Sequence, residues 1–181
     1  MADDGAISRR IGPRVSPLIG VIGGSAPTPQ EAALAEEVGH LLAQAGAVLI
    51  CGGRGGVMEA ACRGARAAGG LTVGILSGIS HQQANPFVDI PIVTGIGEAR
   101  NSIITRTAEA AIAIGGSYGT LSEIAFALGF GTPVVGLRTW VMEREGHPAP
   151  PVVTVETPEE AVRQALALAE RHTRSPSHNR P

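Results

Sequence analysis

Short stretches at 18–22, 47–51, 71–76, 90–94, 110–114, 133–137 and 152–155 are apolar with little polar alternation, and each runs into turn-forming or polar residues. Such runs predict strands covered on both faces, as in a parallel sheet. Between them apolar residues recur at helical spacing, predicting helices over 29–45, 57–68, 95–107, 120–130 and 157–172. The first of these opens on Pro29 at its first position and closes at Gly46, with Leu34, Val38, Leu41, Leu42 and Ala45 on its apolar face. In the 120–130 helix the inward set reads as Leu121, Ile124, Ala125 and Leu128. Strands alternating with helices at this spacing imply an α/β, Rossmann-like, doubly wound fold. The expected sheet is mostly parallel, of about seven strands, with helices on both faces. One domain spans 18–172. The polar, Pro/Gly-punctuated ends at 1–17 and 173–181 read as a disordered leader and tail.

One stretch carries the chemistry. Ala111-Ile112-Ala113-Ile114 runs into Gly115-Gly116-Ser117-Tyr118-Gly119-Thr120, and a helix follows. Glycines let a ligand approach the backbone, and the helix start turns free N–H groups and the positive dipole end onto the loop. A phosphate is expected against the N–H groups of 116–120, shared with Arg54 or Arg100. Glu123 is expected in the first helical turn, where Thr120-Leu121-Ser122-Glu123 has the spacing of a capping box.

Two further glycine turns, Gly23-Gly24-Ser25 and Gly52-Gly53-Arg54-Gly55-Gly56, end the first and second strands on the same edge of such a sheet. Gly24, Gly53, Gly116 and the Thr120 helix start are therefore expected to line one pocket. The 77–89 loop, with His81 and Asn85-Pro86, is long enough to cross or close its mouth. A dinucleotide fingerprint is not met, because Gly20-Val21-Ile22-Gly23-Gly24-Ser25 lacks the G-x-G-x-x-G order and no acid ends the second strand.

Composition narrows the chemistry. The formal charge of −2 carries no nucleic-acid signature. All 14 basic residues are arginines, which removes a lysine Schiff base and the lysine of a P-loop. His40, His81, His147, His172 and His178 show no metal-ligand spacing, and Cys51 and Cys62 read as partnerless, so no metal is expected. Ser25 and Ser117 lie outside G-x-S-x-G, against a serine hydrolase. Ser8-Arg9-Arg10 precedes an apolar stretch broken by Pro13, Arg14 and Pro17, so it does not read as a signal. No run is long enough to span a membrane, and the expected setting is cytoplasmic. Arg100 and Arg106 stand about 120° apart around a helix, so they cannot both face one small ligand.

Gly52-Gly53-Arg54-Gly55-Gly56-Val57-Met58-Glu59 followed by Gly116-Ser117-Tyr118-Gly119-Thr120-Leu121-Ser122-Glu123 resembles the Lonely Guy (LOG) superfamily over about residues 18–137. The superfamily also includes molybdenum-cofactor carrier proteins and was formerly labelled possible lysine decarboxylase. The resemblance implies a phosphoribohydrolase that cleaves the N-glycosidic bond of nucleoside 5′-monophosphates, with Arg100 and Glu123 catalytic and no required cofactor. It places phosphate or nucleotide contacts at Gly24, Ser25, Gly52, Gly53, Arg54, Gly56, Met58, Gly116, Ser117, Tyr118, Gly119 and Thr120. It also implies a homodimer packing the Arg100 helix against its mate. Departures from the enzymes' motifs, at Gly97-Glu98-Ala99-Arg100-Asn101, Gly115 and Ser117, look more like the carrier branch. The alternative expectation is thus a non-catalytic carrier of a phosphorylated pterin (molybdenum cofactor) or nucleotide.

Overall fold

The computed structural model describes residues 16–143 and 145–174. The expected leader and tail lie almost wholly outside these residues. Seven strands form one sheet: β1 (Leu18–Gly23), β2 (Val48–Cys51), β3 (Thr72–Leu76), β4 (Ile90–Val93), β5 (Ala110–Ile114), β6 (Val134–Leu137) and β7 (Val152–Val155). Every pairing is parallel, in the order β4-β3-β2-β1-β5-β6-β7. The doubly wound α/β expectation holds, and the sheet is wholly rather than mostly parallel. Pro91 is tolerated because β4 is an edge strand.

Five α-helices cover the sheet: α1 (Pro29–Gln44), α2 (Val57–Ala67), α3 (Asn101–Thr107), α4 (Tyr118–Phe130) and α5 (Pro158–Arg174). Alternation along the strands divides the core. Ile19 and Val21 of β1 join Ile112 and Ile114 of β5 beneath α1, α2 and α5. Ile22, Ala111 and Ala113 face α3 and α4, with Ile104 and Ile124. No helix among the described residues is long and apolar enough to cross a membrane.

Three local expectations change. The segment expected as a helix over 95–107 is a 3₁₀ turn, Gly97–Arg100, running into the short α3. Gly95 and Gly97 take left-handed φ of 67° and 61°, which an α-helix cannot include. The buried side of α4 is Thr120, Glu123, Ile124 and Ala127, while Ala125 is exposed. This helix is apolar nearly all round, so spacing alone could not choose its inner face. On α1, Ala45 is exposed, and Ala35 and Gly39 are buried with Val38 and Leu42.

Candidate functional site

Strand order reverses around β1, whose neighbours are β2 on one side and β5 on the other. Helices leave these strands toward opposite faces, which opens a crevice at their carboxyl ends. A cavity of about 410 Å³ lies there. Gly23, Gly24 and Ser25 line it from the β1 turn, and Arg54, Gly55 and Met58 from the β2 turn and α2. Glu98, Arg100 and Asn101 contribute from the 3₁₀ turn and α3, and Ser117, Gly119, Thr120 and Glu123 from α4.

The expected set is thus only partly assembled. Gly24, Ser25, Arg54, Met58, Arg100, Ser117, Gly119, Thr120 and Glu123 share the cavity. Gly52, Gly53, Gly56, Gly116 and Tyr118 are not on its wall, so the expectation that Gly53 and Gly116 line it beside Gly24 is corrected. Packing accounts for these glycines. A Cβ on Gly52 would run into the Arg100 guanidinium, so this glycine makes the room that Arg100 occupies. A Cβ on Gly53 would stand 2.8 Å from Leu76 Cδ2, and one on Gly56 2.6 Å from the Ser25 backbone. On Gly116 it would strike the Thr120 side chain. Tyr118 is 81% exposed. Gly23 and Gly55 join from the two expected glycine turns, whereas Glu98 and Asn101 are not in the expected set. Asn101 and Glu98 flank Arg100 in sequence, and that adjacency was the available signal.

Arg100 is 5% exposed, and its guanidinium has no hydrogen-bond partner at Nε or Nη1. Its Nη1 stands 3.7 Å from Glu123 Oε1, and its Nη2 4.0 Å from Oε2 of the largely exposed Glu98. Both separations exceed a hydrogen bond. Burial pushes the Glu123 carboxyl up to about 8; Arg100 opposes this and Glu98 adds to it. Near neutral pH burial therefore favours the protonated carboxyl, and both acidic neighbours pair only loosely with the buried cation. Asn101 donates from Nδ2 to Ser122 Oγ at 3.1 Å, while its buried Oδ1 has no partner. A buried charge so loosely paired and lacking hydrogen bonds is costly, and here it faces open space. The first N–H groups of α4, at Tyr118, Gly119 and Thr120, have no intrahelical acceptor and add to the positive field.

The helix start decides what Glu123 does. Gly115 and Gly116 take φ of 51° and 104°, and the chain enters α4 at Tyr118 with Ser117 as cap. Glu123 therefore sits in the second turn and cannot act in a box with Thr120. The capping box is instead at α1, where Thr28 and Glu31 satisfy one another. Arg106 is turned away, its guanidinium 4.2 Å from the Phe130 ring centroid.

The 77–89 loop does not close the mouth. Asn85 donates its backbone N–H to Gly53 O at 2.8 Å and its Nδ2 to Arg54 O at 2.9 Å, bracing the second glycine turn from outside. Arg54 is exposed and reaches Ser77 Oγ at 3.5 Å. The cysteines are not partnerless: Cys51 and Cys62 are buried with their sulfurs 3.5 Å apart. The contact lowers the Cys51 pKa and raises that of Cys62.

The SLOG cluster4 family profile matches residues 16–162. The chain belongs to the SLOG cluster4 family. It falls within the superfamily of LOG and molybdenum-cofactor carrier-like proteins that its motifs resemble. An uncharacterized protein of Archaeoglobus fulgidus is 45% identical over 154 residues, covering 82% of this chain and 94% of the relative. Among solved structures, the molybdenum cofactor binding protein of Rippkaea orientalis is 36% identical with a TM-score of 0.76, covering 84% of this chain and 97% of that one. The molybdenum cofactor carrier protein of Chlamydomonas reinhardtii is 35% identical with a TM-score of 0.75, covering 86% and 99%.

Proposed function

We propose that this protein binds and carries a phosphorylated small molecule of the pterin-phosphate class, with molybdenum cofactor as cargo, and holds it without chemical change. The observation that carries this reading is Arg100: buried, without a hydrogen-bond partner at Nε and Nη1, and facing a cavity that also receives the N-terminus of α4. An anionic group would meet a desolvated guanidinium and free backbone donors at once. A protonated Glu123 suits the same role, because it can donate to a phosphate oxygen instead of repelling it. The names of the two relatives that are 36% and 35% identical support the same class of cargo.

A second reading, hydrolysis of nucleoside 5′-monophosphates to free base and ribose 5-phosphate, is favoured by Arg100 and Glu123 facing one cavity 3.7 Å apart. Arg100 would orient the nucleotide. Glu123 would need its negative charge to stabilise an oxocarbenium-like ribose, and burial withholds that charge at neutral pH. Any such activity would rise with pH as Glu123 ionises.

Protein purified from cells that make the cofactor is expected to release about one pterin per chain on denaturation and oxidation, read by fluorescence, and to liberate no base from AMP between about pH 6 and pH 9. The Arg100→Ala protein should emerge empty. Sustained release of adenine, abolished by Glu123→Gln, would replace the carrier by the enzyme.

A further inference from the structure

A second cavity, of about 290 Å³, lies on the other side of the Gly115–Gly116 turn and is lined by Glu31, Gly115, Gly116, Arg138, Thr139 and Trp140. The turn is a thin partition. Gly116 walls this cavity, and the next residue, Ser117, walls the one that Arg100 faces. Thr139 Oγ1 donates to Gly115 O at 2.6 Å, and Trp140 Nε1 donates to Ser117 O at 3.2 Å, tying the segment after β6 to the partition.

Aromatic residues are scarce in this chain, which has one tryptophan and one tyrosine. Both are here. The rings of Tyr118 and Trp140 lie 5.8 Å apart at 35°, and Tyr118 stays 81% exposed although a core has room for aromatic surface. Arg138, beside them, has φ of 52° and is the one non-glycine residue with positive φ among those described. Glycine would sit there without strain, and this chain places an arginine there instead. A cation, the exposed Tyr118 ring and the half-buried Trp140 ring thus gather at the first turn of α4.

We propose that Tyr118 and Trp140 form a stacking platform for a planar heteroaromatic ring, with Arg138 as a second cation beside it, so that the two cavities take the two ends of one ligand. This rests on the phosphate-binding reading above and adds the ligand's other end. The phosphate enters beneath Arg100, and the ring crosses the partition onto Tyr118. A flat ring gains by stacking on aromatic faces in a way that tolerates its substituents, which suits a pterin or a purine alike.

Because Trp140 is the sole tryptophan, its fluorescence reports the platform directly. Titration with AMP, a pterin monophosphate, ribose 5-phosphate and adenosine separates the two ends. The ring-bearing phosphates should bind roughly tenfold or more tightly than ribose 5-phosphate and change Trp140 fluorescence. Tyr118→Ala should erase that margin and leave ribose 5-phosphate affinity unchanged. Trp140→Phe, which removes the Ser117 hydrogen bond but keeps a ring, should retain most of it. Arg138→Gly should raise stability by relieving φ and lower affinity for the ring-bearing probes. No margin over ribose 5-phosphate, or a margin untouched by Tyr118→Ala, overturns the platform. Equal binding of AMP and adenosine would instead overturn the phosphate anchor while the ring margin still scores the platform.

Discussion

The two helical layers of this sheet are built on opposite terms. The α1–α2–α5 layer is small-residue packing. Ala35, Ala61, Ala65, Ala161, Ala165 and Ala169 are all buried there. Gly39 and Gly64 bring α1 and α2 together so closely that a Cβ on either would strike the backbone of Ala61 or Glu36. The α3–α4 layer packs a smaller apolar cluster with buried polar groups beside it. It buries Arg100, Asn101, Thr105, Glu123 and Thr132, while leaving Ile103 and Phe126 partly exposed. Hydroxyls do part of the stitching, with Thr132 Oγ1 donating to Thr105 O at 2.8 Å and Thr105 Oγ1 to Asn101 O at 3.0 Å. One layer is apolar, close-packed and dry. The other spends some of that stability on groups left unpaired toward a cavity.

The largest effect should come from the dry layer. Gly64→Val pushes a branched side chain into the Glu36 carbonyl, where backbone cannot yield. A loss of more than about 3 kcal/mol is expected from urea midpoints, without any ligand present. A Gly64→Val protein as stable as the parent would mean that the α1–α2 contact is not what secures this face.

Next comes pH. Glu123 titrates at about 8 in the folded chain against 4.5 ordinarily. Below about pH 4.5 both states hold the proton and the contribution to stability is complete. As pH rises toward 8 the unfolded chain gives up its proton first, so stability falls through that window. The slope sums to the order of a few kcal/mol. Glu123→Gln should flatten it, as urea melts at several pH values would show. An unchanged slope would leave Glu123 ionised in the fold and the wet layer less costly than described.

The smallest expected change in stability is at Arg100. Replacing it by Met removes a loosely paired buried cation and keeps much of the volume, so stability should stay within about 1 kcal/mol or rise. Affinity for a phosphorylated probe should fall about a hundredfold, because a desolvated charged contact is lost. Calorimetry on one sample reads both. If Arg100→Met unfolded the chain with binding intact in the remainder, Arg100 would belong to the structural layer after all.

Much of the fold was legible in the chain. Apolar runs closed by turn residues marked the central strands, since a strand buried on both faces has no polar side to show, while the edge strands β4 and β7 carry Pro91 and Thr154. Pro29 and Gly46 marked the ends of α1 because φ is restricted in one and free in the other. The Gly115–Thr120 stretch marked the turn from β5 into α4, since glycine and a helix start are features a local sequence can carry. Tertiary structure alone decided the rest. Whether Glu123 caps a helix or enters a cavity turned on where α4 begins, and two left-handed glycines moved that start by two residues. Whether Gly52 touches a ligand or makes room for Arg100 depended on a side chain 48 positions away settling on it. Cys51 and Cys62 met, and Tyr118 found Trp140, through the return of a helix and of a strand. Local sequence sets which conformations a segment can adopt; which side chains then share a cavity is a property of the packed whole, because burial and desolvation depend on every neighbour at once.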